Sequence, residues 1–170
     1  MKNIITILTL VLVAGISRLI PHPWNFTAMT AMALFSGCVM PKNQKLLAFL
    51  APLLALLWTD AILGFHTTAV YVYAAVALIT IMGMNLKEDS VLQVGSAALI
   101  GSGLFFGITN FGVWLSQDMY LKSLVGLETC FAMAVPFFHY QVLGDLFYTG
   151  VLFGAFAILR KTVPVLAQEG

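Results

Sequence analysis

Between Val91 and Leu115 the chain runs through "VLQVGSAALIGSGLFFGITNFGVWL" without one charged side chain. That length and character meet the roughly 20 apolar residues a helix needs to cross a bilayer. Lipid offers backbone N–H and C=O groups no partner, so such a stretch must be helical there. The pattern recurs along the chain. Only 9% of the 170 residues are charged, 61% are hydrophobic and the mean hydropathy is +0.98. Soluble domains carry about 25% charged residues. The sequence therefore specifies an all-α integral membrane protein, with residues 1–170 as a single domain.

Breaks in the apolar pattern divide it into six expected transmembrane helices. They are Asn3–Ile20, stopped by Pro21 and Pro23, Asn25–Met40, stopped by Pro41, Lys45–Leu63, Ala69–Leu86, Val91–Leu115 and Leu143–Leu159. The N-terminus has the outline of a secretory signal, with Lys2 before an apolar stretch, but apolar residues continue to Ile20 and it is taken as an uncleaved first span. Between the fifth and sixth spans lies "QDMYLKSLVGLETCFAMAVPFFHYQ". It is too apolar for a plain loop, and Lys122 and Glu128 make it a poor full span. An extra interfacial or re-entrant helix is expected there, with a seventh span at residues 119–138 as the open alternative. Basic residues gather on the cytoplasmic side of membrane proteins. With the N-terminus inside, six spans place Lys2, Lys42, Lys45, Lys87, Arg160 and Lys161 inside and only Arg18 and Lys122 outside. Both termini are thus expected in the cytoplasm.

That orientation sorts the polar residues. Trp24, Asn25, Asp60, His66, Asn110, Trp114 and Asp145 fall at or near outer helix ends, as do His22, Glu128 and His139. Asp60 and Asp145 are embedded in apolar sequence. A charge at mid-membrane costs about 3 kcal/mol on insertion scales, so each should face the bundle and have a partner. Asp145 could instead cap the N-terminus of the sixth helix. Asn25 and Asn110 sit among Trp24, Phe26, Phe105, Phe106, Phe111 and Trp114. Aromatic rings beside amides suit a flat, hydrogen-bonding ligand, although aromatics at an interface also serve as belt residues. Small residues at helical spacing, Gly103 with Gly107, Gly150 with Gly154 and Ala33 with Gly37, suit close helix contact, within the chain or with a partner.

Other chemistries find little support. A net charge of +1 offers no basic surface for nucleic acid. Cys38 and Cys130 lie in apolar stretches, with no CxxC, no zinc spacing and no HExxH. "GSG" at 101–103 lacks the upstream glycine and the histidine base of an intramembrane serine protease. No Gly-rich phosphate loop is present. The chain is not expected to be an enzyme, and no cofactor or metal is called for.

The ordered segments "ISRLIPHPWNFTAMTAMALFSG", "LAPLLALLWTDAILGFH", "FFGITNFGVWL" and "VPFFHYQVLGDLFYTGVLFG" resemble a family of small, uncharacterised bacterial membrane proteins described as transporters. More distantly, the size, the six helices and the outer cluster of polar residues resemble the S components of energy-coupling-factor vitamin transporters. Those bind a vitamin from outside, and many dock on a coupling module with two ATPases. The resemblance implies a multi-pass protein of the bacterial cytoplasmic (inner) membrane. It would bind a vitamin or similar micronutrient for uptake in an outward-facing pocket, alone or with such a module. Docking would fall to small residues such as Ala33 and Gly37. The alternative is a non-transporting structural or assembly subunit of a membrane complex.

Overall fold

A computed structural model describes residues 2–23 and 25–162. The described residues form six α-helices and no strand: α1 Lys2–Ile16, α2 Met29–Val39, α3 Lys45–Leu63, α4 Ala69–Gly83, α5 Val91–Ser116 and α6 Leu124–Thr162, with a 3-10 turn at Lys42–Gln44 before α3.

The shortest helix is the centre of the bundle. Every residue of α2 from Thr30 to Gly37 is buried, and α2 packs against all five other helices. Its sequence, "MTAMALFSGCV", has no polar face to present to a surface, and a helix apolar all round belongs in a core. Its closest neighbour is α4. A Cβ added to Gly83 would stand 2.6 Å from Leu34 O, and one on Gly37 would run into Thr80 O. Only glycine lets these two backbones meet. Phe35 packs edge-on against Phe153 and Phe156 of α6, with ring centroids 5.3 and 5.5 Å apart. The outward surfaces are apolar: Leu54, Ile62, Val70, Ile100, Phe147 and Val151 are all exposed, which is what lipid-facing positions require.

Three segments, Lys42–Leu63, Val91–Ser116 and Leu124–Thr162, are long and apolar enough to cross a membrane, not six. They mark a membrane protein. The shorter helices miss the length because the chain turns early. The first span stops at Ile16, where Ser17, Arg18 and Leu19 donate turn hydrogen bonds back to Ala14, Gly15 and Ile16. The second begins at Met29 rather than Asn25, leaving 11 residues, about 16 Å at 1.5 Å per residue.

The expected separate helix before the sixth span does not exist, and neither does a seventh span. Residues 124–162 form one helix of 39 residues, about 58 Å long. Pro136 lies inside it. A helical proline lacks one N–H and leaves the carbonyl four residues earlier unpaired; here that residue is Ala132, which is exposed. Lys122, which argued against a span, lies outside the helix and folds back so that its ammonium donates to Trp114 O and Gln117 O at the end of α5. Cations there complement the carbonyl end of a helix. Asp145 is therefore mid-helix, and the capping reading falls.

The small-residue pairs divide. Ala33 and Gly37 are buried inside the chain and cannot serve as a docking face. Gly103, Gly107, Gly150 and Gly154 have nothing within 4 Å of an added Cβ, so these two pairs do not pack within the chain.

Candidate functional site

Where the expected outer ends of α1, α3, α4 and α5 meet the middle of α6, a cavity of about 260 Å³ opens above the start of α2. Its polar lining comes from Arg18, Asn25, His66, Thr109, Asn110 and Gln141, and its apolar lining from Met29, Val72, Phe105 and Val113. Concave sites with apolar walls and a few convergent polar groups are the usual form of small-molecule pockets. The volume is that of roughly nine liquid waters at about 30 Å³ each.

Local geometry aims these residues. Asn25 has φ +61°, the only positive φ on a non-glycine among the described residues. Asparagine tolerates this left-handed conformation better than most residues. The turn is held by Phe26 N donating to Pro23 O and Thr27 N to Asn25 O, both at 3.0 Å. A second tie, Ala28 N to Ser17 Oγ at 3.1 Å, fixes the link between α1 and α2. α6 comes close beneath: a Cβ on Gly144 would lie 3.0 Å from Phe26 Cα. Asn110 donates through Nδ2 to Phe106 O, 2.8 Å away in its own helix. Among the described residues nothing donates to its Oδ1.

Two buried carboxylates stand behind the cavity wall. Asp60, fully buried, lies 2.7 Å from Arg18 Nη2 through Oδ1 and accepts from Tyr73 OH at 2.8 Å through Oδ2. The Oδ1 approach is a charge contact whose angle is not that of a hydrogen bond. Arg18 Nη1 reaches Thr59 Oγ1, and more weakly Leu56 O at 3.4 Å. Asp60 thus has the partner that embedding demands, and Arg18 presents its remaining surface to the cavity. Asp145, 2% exposed, has Ser102 Oγ at 2.7 Å. Gln141, one turn away on α6, donates Nε2 to Ser102 O at 2.9 Å and also lines the cavity.

The structure therefore brings Asn25, His66 and Asn110 into one cavity, with Asp60 and Asp145 next to its lining residues. Trp114 is elsewhere. Its Nε1 donates to Leu121 O at 2.9 Å, which ties the α5–α6 link, and its ring lies 5.5 Å from Phe111. Trp24 lies outside the described residues. Sequence reasoning missed Arg18, Thr109 and Gln141. The signal for Arg18 was present: an embedded acid needs an embedded base, and Arg18 is one of the two Lys or Arg residues expected on the same side. Among the described residues no group of three or more His, Cys, Asp or Glu side chains is placed to hold a metal.

A second cavity, of about 300 Å³, lies at the opposite end, between Glu88, Asp89, Phe153, Phe156, Arg160 and Lys161. Arg160 pairs with Glu88 there, and Asp89 and Lys161 add one charge of each sign. The first cavity is the one that gathers Asn25, His66 and Asn110, and so is the candidate site.

A model of the family of unknown function DUF6580 matches residues 1–166, and the chain belongs to that family. No curated protein and no solved structure matches it.

Proposed function

We propose that this protein binds a small polar micronutrient, of vitamin size or smaller, from outside the bacterial cytoplasmic membrane for uptake, in the manner of an S component. In this reading α1, α2 and α4 complete a six-helix bundle embedded around the three long helices. The termini and the basic residues at 42, 45, 87, 160 and 161 face the cytoplasm, and the Asn25–His66–Asn110 cavity faces out. The observation that carries the reading is that cavity. It is the place where unpaired amide capacity, a cation and an imidazole meet apolar walls.

The geometry also narrows the ligand. At about 260 Å³ the space falls just below the roughly 300–1,000 Å³ of drug-sized sites. A large ligand such as a corrinoid is too big to be enclosed there. Arg18 is already matched to Asp60, so the wall is close to neutral and suits a neutral or singly anionic ligand. No catalytic role enters this reading.

The test is mass spectrometry of small molecules retained by protein purified in mild detergent, with Asn110→Leu as control. A compound carried by the wild type and depleted from the variant supports uptake. Wild-type protein that carries no compound but co-purifies with another membrane protein favours the second reading, a non-catalytic subunit. The specific observation for that alternative is the pair of open glycine faces, Gly103–Gly107 and Gly150–Gly154.

A further inference from the structure

We propose that Asp145 is a proton-binding site, neutral in the resting structure and linked to the outer cavity through Gln141. The inference does not depend on the nature of the ligand or on uptake.

Burial without a cation carries it: Asp145 is 2% exposed and has no ion-pair partner among the described residues. Ser102 Oγ lies 2.9 Å from Ala98 O and 2.7 Å from Asp145 Oδ2. A hydroxyl has one hydrogen to give, and a backbone carbonyl has none. The single Ser102 hydrogen goes to Asp145 Oδ2 or to Ala98 O; only with Asp145 protonated are both contacts hydrogen bonds at once, the carboxyl group donating to Ser102 Oγ and Ser102 to Ala98 O.

The surroundings agree. α6 packs on α1, α2 and α5, and at Gly144 on the link between α1 and α2, whose titratable groups are Arg18, paired with Asp60, and the exposed His22. α2 and α5 carry no charged residue, and α1 has only Lys2, at its far end. The one other titratable group on those helices is the Cys38 thiol, whose contact is Leu86 O near the opposite end. On α6 itself the titratable groups are Glu128, Cys130, His139, Tyr140, Tyr148, Arg160 and Lys161, none of them paired with Asp145. Among the described residues no cation and no backbone N–H donates to it; its neighbours are the hydroxyls of Ser102 and Thr30 and the Gln141 amide. An ionised carboxylate needs compensation of that kind when buried. Asp60 has it from Arg18, and Asp145 does not.

Gln141, Asp145 and Thr149 recur every fourth residue and are each at least 95% buried, so they form a polar line along one face of α6. Gln141 is its cavity end. Thr149 Oγ1, at the inner end, has no hydrogen-bond partner among the described residues, an orphan that fits a transient water beside a proton site. Release breaks the Asp145 O–H bond and leaves the electron pair on the carboxylate; the proton passes to a water that enters past Gln141 from the cavity, because the amide itself cannot carry it. The Ser102 hydroxyl then turns from Ala98 O to the carboxylate, and Gln141 can do the same.

The test is infrared difference spectroscopy of the full chain in lipid, titrated with pH. A protonated carboxyl band is expected at neutral pH. It should vanish in Asp145→Asn, persist in Asp60→Asn and move in Ser102→Ala, and it should titrate away reversibly as the pH is raised. Gln141→Leu should move the titration midpoint upward, because an amide that can donate to the carboxylate is gone. A wild-type spectrum with no band assignable to Asp145 overturns the proposal. So does a band that persists until the protein unfolds, since that proton is structural. An unmoved midpoint in Gln141→Leu overturns the link to the cavity, and loss of the band on adding sodium at fixed pH assigns the site to an alkali cation instead. If Asp145→Asn fails to fold, the Ser102→Ala shift alone carries the assignment.

Discussion

Replacing Asp60 by leucine should destabilise the protein far more than replacing Asp60 and Arg18 together. The single change leaves the Arg18 guanidinium, 12% exposed, with only Thr59 Oγ1 and a long contact to Leu56 O. Breaking one side of a buried ion pair costs about 3–5 kcal/mol, because the charge that remains is uncompensated. Arg18→Met should cost a similar amount, for Asp60 would keep only the Tyr73 hydroxyl. The double variant Arg18→Met/Asp60→Leu removes both desolvation costs and fills the space with apolar side chains. Such swaps are often neutral or stabilising by roughly 1–4 kcal/mol. A double-mutant cycle should therefore show a coupling of several kcal/mol, well above the roughly 0.3–0.5 kcal/mol within which independent sites add. The assay is reversible unfolding in mixed detergent, followed by far-ultraviolet circular dichroism. Single variants that each cost less than about 1 kcal/mol, or costs that merely sum in the double variant, would refute the pairing as the reason Asp60 is tolerated.

Other outcomes follow from the same structure. Asn110→Leu should leave stability nearly unchanged, since its donor bonds only to its own helix, yet weaken ligand binding by about 1–3 kcal/mol, on the order of 5- to 150-fold; isothermal titration and thermal melts of one preparation check both. Gly83→Leu should prevent α2 and α4 from meeting, because the new side chain would drive into the Leu34 backbone, and it should cost at least the roughly 1–3 kcal/mol of ordinary overpacking. Gly150→Leu, with open space beside it, should leave the melting temperature of the isolated protein unchanged. In a background without Cys38 and Cys130, a membrane-impermeant thiol reagent should label a cysteine at Asp118 on intact cells, and one at Asn43 only after permeabilisation.

The helical, membrane-embedded character was legible because it rests on composition and run length, which lipid enforces without reference to tertiary contacts. The position of the cavity was also legible in part: Asn25, His66 and Asn110 converge as their places at one end of the bundle implied. What failed has identifiable causes. Lys122 and Glu128 argued against a full span, but Lys122 lies before α6 begins and Glu128 sits on an exposed position of its first turns, so neither interrupts the helix. Of the two contacts that the GxxxG pairs suited, within the chain or with a partner, the chain does not make the first. The contacts it does make use Gly37 and Gly83, which are separated by 46 positions and share no local pattern. Gln141 and Ser102 were invisible because a polar side chain on an apolar helix declares neither its face nor its partner.

The two buried aspartates show how far residue type alone falls short. Both interrupt apolar sequence, and both suggest a buried charge that must be matched. The bundle matches Asp60 with a cation from the turn after α1, so its charge is retained and Arg18 is held at the cavity wall. It surrounds Asp145 with hydroxyls and an amide, none of which carries charge, so the lower-energy form is the acid. The difference decides which groups a ligand can use. Arg18 arrives already neutralised by Asp60, and an incoming anion must compete with that pair or share it. Gln141 arrives joined to Ser102, so a ligand that takes its amide also disturbs the contacts around Asp145. The groups with unengaged capacity are Asn110 Oδ1 and the two side chains supplied by loops, Asn25 and His66. A ligand that donates to Asn110 and stays clear of Gln141 would bind with little effect on the proton; one that reaches Gln141 would bind with an affinity that depends on pH. Comparing the pH dependence of binding in wild type and Gln141→Leu separates these cases. Identical profiles would mean that the cavity and the carboxyl group, though adjacent, act independently.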